Sequence, residues 1–139
     1  MSGNDCIFCK IVRGEIPCHE VMNTETVLAF LDIAPVRPGH VLVIPKAHHP
    51  TLFDLPPDLS RDLLSGLQAV GKAVMAATDA EGMNVGMNVE KAAGQLVFHA
   101  HFHIIPRVSG DGLSLWPQTP SDDHETLANL ARTIRDNVS

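Results

Sequence analysis

The chain has no run of apolar residues approaching the roughly 20 that a membrane-spanning helix needs, so no membrane partner is expected. Basic residues are also few. Ten Lys and Arg stand against sixteen Asp and Glu, and the formal net charge of −6 argues against the broad basic face of a nucleic-acid binder. A small anionic ligand in a local pocket remains compatible with that balance. Three cysteines are too few and too unevenly spaced for a secreted disulfide framework. The opening MSGNDCIFCK shows no basic-then-apolar secretory pattern, so a cytoplasmic location is expected. No internal repeat, linker or low-complexity stretch divides the chain. Its 139 residues read as a single domain, 1–139, with 45% apolar residues to build a core.

What the sequence does have is His99-Ala100-His101-Phe102-His103-Ile104-Ile105. Side chains alternate between the two faces of a strand, so the spacing puts His99, His101 and His103 on one side. Ala100, Phe102 and Ile104 would line the other. One strand histidine is usually a satisfied polar residue. Three in strict alternation beside an apolar face point to proton, phosphoryl or metal chemistry near neutral pH.

Residues 6–13 can form a short helical turn. Val27–Ile33 and Val41–Pro45 read as strands, and the Pro- and Gly-containing segment 34–40 makes them an antiparallel pair. A helix is predicted from 54–58 to 77–79, with Leu59, Leu63, Leu67, Val70 and Val74 at helical spacing. Met83–Val89 reads as a strand, 90–94 as a loop, and Gln95–Ile105 as the histidine strand, ended by Pro106. A second helix is predicted over 122–138, with Leu127, Leu130, Ala131 and Ile134 on one face. The expected class is α+β, an antiparallel sheet with helices packed on it.

Gly66-Leu67-Gln68-Ala69-Val70-Gly71-Lys72 matches the start of a phosphate-loop pattern by chance. Ala73 stands where the Ser or Thr belongs, and the stretch is helical in period. Cys6-Ile7-Phe8-Cys9 offers two arms of a zinc site, with His48 or His49 and His99 as possible further ligands, or simply two buried small hydrophobes. A redox role lacks its βαβ context. Cys18 has no evident partner. The 88–95 loop carries amide donors suited to phosphate oxygens. Asp32 can cap the following turn or accept hydrogen bonds from sugar hydroxyls. Arg107 reads as a solvated strand-end charge. Trp116 fits an interface, a pocket rim or the core.

The histidine run, together with CIFCKIVRGEIP, LAFLDIAPVRPGHVLVIPKAHH, the Asn88 and Gly94-Gln95 spacing, and HFHIIPR, resembles the histidine triad (HIT) family. The likeness covers most of residues 5–112, and the tail after the triad resembles the bacterial-type branch. It implies a five-stranded antiparallel sheet with one long helix and a C-terminal helix, commonly in a homodimer. It also implies a nucleotide hydrolase or transferase acting at the α-phosphate of a purine nucleotide derivative, either a nucleoside phosphoramidate or a dinucleoside polyphosphate. Carried over by position, His101 would be the nucleophile that forms a nucleotidyl-histidine intermediate. His103 would contact the phosphate or leaving group, and His99 would orient the set. Asn88, Gln95 and the backbone at Leu96 would hold the phosphate, Asp32 the ribose, and Ile7, Phe8, Ile11, Phe30 and Ile33 the base. Cys6, Cys9, His48 and His99 would bind zinc, in a structural rather than a catalytic role. Leu96 stands where some relatives carry a serine, so a hydroxyl near the leaving group is missing.

Two other functions compete with hydrolysis. One is a nucleotide-binding regulatory or scaffold protein with weak catalysis. The other is a catalytic metal held by the three strand histidines, which is awkward because alternate residues on a strand lie roughly 6.5–7 Å apart.

Overall fold

A computed structural model describes residues 3–139. Five strands, β1 (Glu20–Asn23), β2 (Val27–Leu31), β3 (Val41–Pro45), β4 (Gly82–Gly86) and β5 (Phe102–Arg107), form one antiparallel sheet in the order β1-β2-β3-β5-β4. Helices α1 (Ile7–Val12), α2 (Pro57–Thr78) and α3 (His124–Asp136) complete the fold. The α+β class and the five-stranded sheet expected from the sequence are both present.

The central strand β3 is buried along its whole length, because the sheet is covered on both faces. On one face, Val27, Ala29, Val41, Val43 and Ile104 pack against Leu59, Leu63, Leu67, Val70 and Val74 of α2. These are the helical positions the spacing predicted. Each such side chain contributes about 1.5–3 kcal/mol by leaving water. Pro57 opens α2 at the position where a missing N–H costs nothing. The two glycines of the chance phosphate-loop match lie inside α2 and let it approach the sheet. A Cβ on Gly71 would come within 2.5 Å of the Met83 side chain. On the other face, Leu28, Phe30, Leu42 and Ile44 pack against Cys6, Phe8 and Cys9 in and around α1.

Several boundaries differ from the sequence expectation. β1 was not anticipated from residue pattern; it is short and largely exposed. β2 stops at Leu31 because the Asp32 carboxylate accepts from the Ala34 N–H (2.8 Å) and turns the chain. The histidine strand begins at Phe102, not Gln95. Its pairing with β3 ends at Val43↔Phe102. Beyond that pair, the Pro45 carbonyl is taken by the His99 ring (2.7 Å), and the Ala100 N–H bonds to the His49 carbonyl (2.7 Å). The same diversion ends β4 at Gly86 rather than Val89. Pro106 does not end β5. It lies past the stretch paired with β3, where a missing N–H is tolerated. Arg107 is not a solvated end charge. It grips Asp111 with two bonds (2.7 and 2.8 Å) and also reaches Asn84 and the Leu113 carbonyl. That pair holds the Asp111 carboxyl well below the usual carboxylate range.

The expectation that both long helices pack on the sheet holds for α2 only. α3 is capped by the Asp123 carboxylate, yet none of its residues is buried. Leu127, Leu130 and Ile134 are about half exposed, and Trp116 is 86% exposed, so it is no core residue. Among the described residues no helix is long and apolar enough to cross a membrane.

Candidate active site and metal cluster

The α1 side of the sheet carries a cavity of about 400 Å³. Ile7, Phe8, Ile11, Phe30 and Ile33 form its apolar wall, and Asp32, Asn88, Leu96, His101 and His103 also line it. These are the predicted nucleotide-binding and catalytic residues, with two exceptions. Gln95 is buried and its amide is fully used, donating to the Pro50 and Val97 carbonyls and accepting from the Glu90 N–H. It shapes the loop. His99 turns away from the cavity toward the two cysteines. Gly94, at φ +92°, lets the loop pass close to Asn88, whose side-chain amide lies 3.4 Å from the Gly94 carbonyl. Cys18, to which the sequence assigns no partner, lies in the cavity wall, as do Ile16, Pro17, Leu42 and Val97.

The three triad rings have separate partners. The His99 Nε2–H donates to the Pro45 carbonyl (2.7 Å), leaving its Nδ1 lone pair facing Cys6 (3.4 Å), Cys9 (3.5 Å) and His48 Nδ1 (3.3 Å). The His101 Nδ1–H donates to the His99 carbonyl (2.7 Å). A carbonyl only accepts, so neutral His101 carries its lone pair on Nε2. His103 Nδ1 lies 2.9 Å from His40 Nε2. With the rings committed in three directions, no single metal can be shared by the triad.

Burial pushes His99 and His103 down to about 4 and lowers His101 and His40. All four imidazoles are therefore neutral at pH 7. Phe8 lies edge-on to Phe30 (5.7 Å), His101 (5.1 Å) and His99 (5.8 Å), joining the apolar wall to both histidine groups.

Cys6, Cys9, His48 and His99 bring one ligating atom each to within 4.8 Å of one another. Tetrahedral zinc with Zn–N near 2.0–2.1 Å and Zn–S near 2.3 Å has N···N edges of about 3.3–3.4 Å and S···N edges of about 3.5–3.6 Å. The 3.3 Å N···N and 3.3–3.5 Å S···N separations fit that figure. The Pro45 carbonyl fixes the His99 tautomer that can ligate. His48, not His49, is the fourth member, and its buried Nε2 has no hydrogen-bond partner among the described residues. Burial and the adjacent Cys6 push the Cys9 thiol up to about 11. A cation at the centre would reverse that.

His40 was missed as a site residue. A signal was available in Gly39-His40, which sits two residues before Leu42 and so on the same face of β3. Leu42 pairs with His103, which makes His40 a diagonal neighbour of the third triad histidine.

Comparison with known proteins supplies the wider context. Residues 13–110 match the HIT domain. The chain is 44% identical over 125 residues to an adenosine 5'-monophosphoramidase of Schizosaccharomyces pombe, covering 88% of this chain and 91% of that protein. It is also 44% identical over 110 residues to an adenylylsulfatase of Arabidopsis thaliana. That match takes in 79% of this chain, which spans only 56% of the plant protein's length. A crystal structure of a Streptococcus mutans protein superposes with a TM-score of 0.94 at 40% identity, covering 99% of this chain and 88% of that one. A zinc-bound histidine triad family protein from Mycobacterium smegmatis superposes with a TM-score of 0.71 at 37% identity, covering 95% and 99%.

Proposed function

The chain belongs to the histidine triad family, and from that premise we propose that it is a nucleotide hydrolase that cleaves at the α-phosphate of a purine nucleotide derivative through His101. The observation that carries this reading is the His101 tautomer. Its Nδ1–H is held by the His99 carbonyl, and it lines a cavity with an apolar wall and a carboxylate. The neutral Nε2 is then a nucleophile without prior deprotonation.

The base lies against Ile7, Phe8, Ile11, Phe30 and Ile33, and the ribose hydroxyls donate to Asp32. The Asn88 amide and the backbone at Leu96 hold the phosphate. His101 Nε2 forms a bond to the α-phosphorus as the bond to the leaving group breaks; an amine leaving group takes up one proton from solvent as it departs, while a phosphate leaves as the anion. The nucleotidyl-imidazolium keeps its Nδ1–H on the His99 carbonyl, which stabilises the positive charge. Water then attacks phosphorus, the P–N bond breaks, and nucleoside monophosphate and one proton are released. His103 donates to the phosphate or to the leaving group. The leaving group is an amine or a second nucleotide phosphate. The exposed Leu96, in place of a hydroxyl residue, offers it apolar contact.

Zinc, held by Cys6, Cys9, His48 and His99, would pin α1 to the segment before β5. Four protein ligands leave no open position, so its role is structural. The unpaired edge of β4 and the uncovered apolar face of α3 support a homodimer. The unpaired cysteines suit the cytoplasm.

The test is turnover of adenosine 5'-phosphoramidate and of a dinucleoside polyphosphate, each with and without a strong chelator. Release of AMP that survives chelation and disappears in His101→Ala supports the reading. Tight nucleotide binding with no turnover of either compound supports a binding or scaffold protein instead.

A further inference from the structure

We propose that Gln95, buried behind the phosphate side of the cavity, is a positioning residue that holds Glu90 in a backbone conformation suited to glycine and so keeps Asn88 and Leu96 at the cavity. The consequence for binding rests on the functional reading above; the geometry does not.

Glu90 has φ +70° and ψ +162°. A side chain there crowds its own main chain, and glycine is almost the sole residue that occupies this region at ease. Among the described residues the one other non-glycine with positive φ is Asp79. It sits at φ 51° and ψ 31°, the left-handed helical region that commonly follows a helix, and it closes α2. Glu90 lies outside that region.

Strain of this kind persists only where the surroundings fix it. Here Gln95 does so from two sides. Its side-chain Oε1 accepts from the Glu90 N–H (2.9 Å), and its own backbone N–H donates to the Glu90 carbonyl (3.1 Å). The Gln95 side-chain N–H groups are in turn anchored on the Pro50 (2.7 Å) and Val97 (3.1 Å) carbonyls. The residue is 2% exposed, so the amide cannot rotate without leaving buried groups unpaired. The Glu90 side chain is exposed and fills no part of the core. Its cost to the loop therefore comes from the backbone alone.

The strained residue lies at the root of the loop that faces the phosphate. A 3₁₀ turn, Lys91–Ala93, follows Glu90, and Gly94 at φ +92° turns the chain back. Asn88 precedes this turn and Leu96 follows it, and both line the cavity. The two arms touch: a Cβ on Gly94 would come within 3.3 Å of Asn88 Nδ2. If Glu90 returned to negative φ, the arms would part and Asn88 would leave the cavity.

The test uses Glu90→Gly, Gln95→Met and the double variant, read by melting temperature and by calorimetric titration with AMP and with adenosine. Met keeps the length of Gln but loses the bonds of its amide. Glu90→Gly should melt roughly 3–5 °C higher, because it removes strain and no packing. In the Gln95→Met background that gain should vanish, because Glu90 has already relaxed. Gln95→Met should weaken AMP binding about tenfold or more and leave adenosine, which lacks the phosphate, near its wild-type affinity. The double variant should recover most of the AMP affinity, since glycine enters the native conformation without a steric cost. Glu90→Ala keeps the Cβ and should gain no stability, so it and Glu90→Gly decide the strain even if Gln95→Met does not fold. The proposal is overturned by no gain in Glu90→Gly, by the same gain in Glu90→Ala, or by an equal gain in both Gln95 backgrounds. Equal losses of AMP and adenosine in Gln95→Met, or no recovery in the double variant, overturn it too. If wild type binds neither AMP nor adenosine, the functional reading fails, yet the melting temperatures still decide what Gln95 holds.

Discussion

Two groups of ligating side chains stand on the α1 side of the sheet, and by composition they look alike. Cys6, Cys9, His48 and His99 form one; Asp32, His40 and His103 form the other. Both are compact; the first is mostly buried, and the second has His40 buried with Asp32 and His103 half-buried. Main-chain groups make them different. The Pro45 carbonyl holds the His99 proton on Nε2 and turns a lone pair into the first cluster. The Val36 N–H puts the His40 proton on the nitrogen that faces the second. One cluster is ready for a cation and the other is closed to it. A count of nearby His, Cys and Asp residues does not separate them; the backbone partner of each ring nitrogen does.

The largest expected effect comes from the residue that lies between the two groups. His101→Ala should lower hydrolysis by about a thousandfold or more while leaving the metal content of the protein intact. Circular dichroism and elemental analysis beside the kinetic assay check both halves. Cys6→Ser should do the reverse. It removes a ligand, so bound zinc is lost and the melting temperature falls by roughly 5–10 °C, while kcat changes far less. If purified, unchelated wild-type protein contains no metal, the first half of the comparison fails.

A smaller effect follows from burial. In the folded chain His103 is held near 4, against 6.5 for an ordinary histidine. Between those values the unfolded chain binds the extra proton, so stability present above pH 6.5 is lost as pH falls toward 4. A melting temperature lower by roughly 5 °C at pH 4.5 than at pH 7 is expected. His103→Gln should flatten the slope. In the same window the acid limb of wild-type kcat should fall at a pH below 6.5, because burial lowers the His101 ring from its ordinary value. The smallest effect lies away from both clusters. Leu130→Glu on the exposed face of α3 should shift the mass measured by light scattering toward monomer, with little loss of secondary structure.

Much of this is legible in the sequence. The alternation at His101–Ile104 separates the cavity face from the α2 face, because Phe102 and Ile104 pack toward α2 while His101 and His103 line the cavity. Leu59 to Val74 announced the long helix and its buried side. The losses have common causes. Strand ends at Gly86 and Phe102 are set by bonds to His49 and Pro45, some fifty residues away, which no local pattern encodes. Gln95 was read as a phosphate donor from its type and place, yet its amide is consumed by the backbone. Cys6, Cys9, His48 and His99 could be named as a set only through resemblance, because spacing alone also allows buried thiols. The signal at His40 is weak: its place beside the triad follows only once Leu42 is paired with His103, a register the local sequence does not fix.

The central claim is covalent chemistry at His101, and its most direct test is rapid-quench intact-protein mass spectrometry with adenosine 5'-phosphoramidate, under a quench that spares acid-labile P–N bonds. A mass gain of one AMP in wild type and in Cys6→Ser, absent from His101→Ala, is the predicted result. An adduct that survives in His101→Ala would contradict the account.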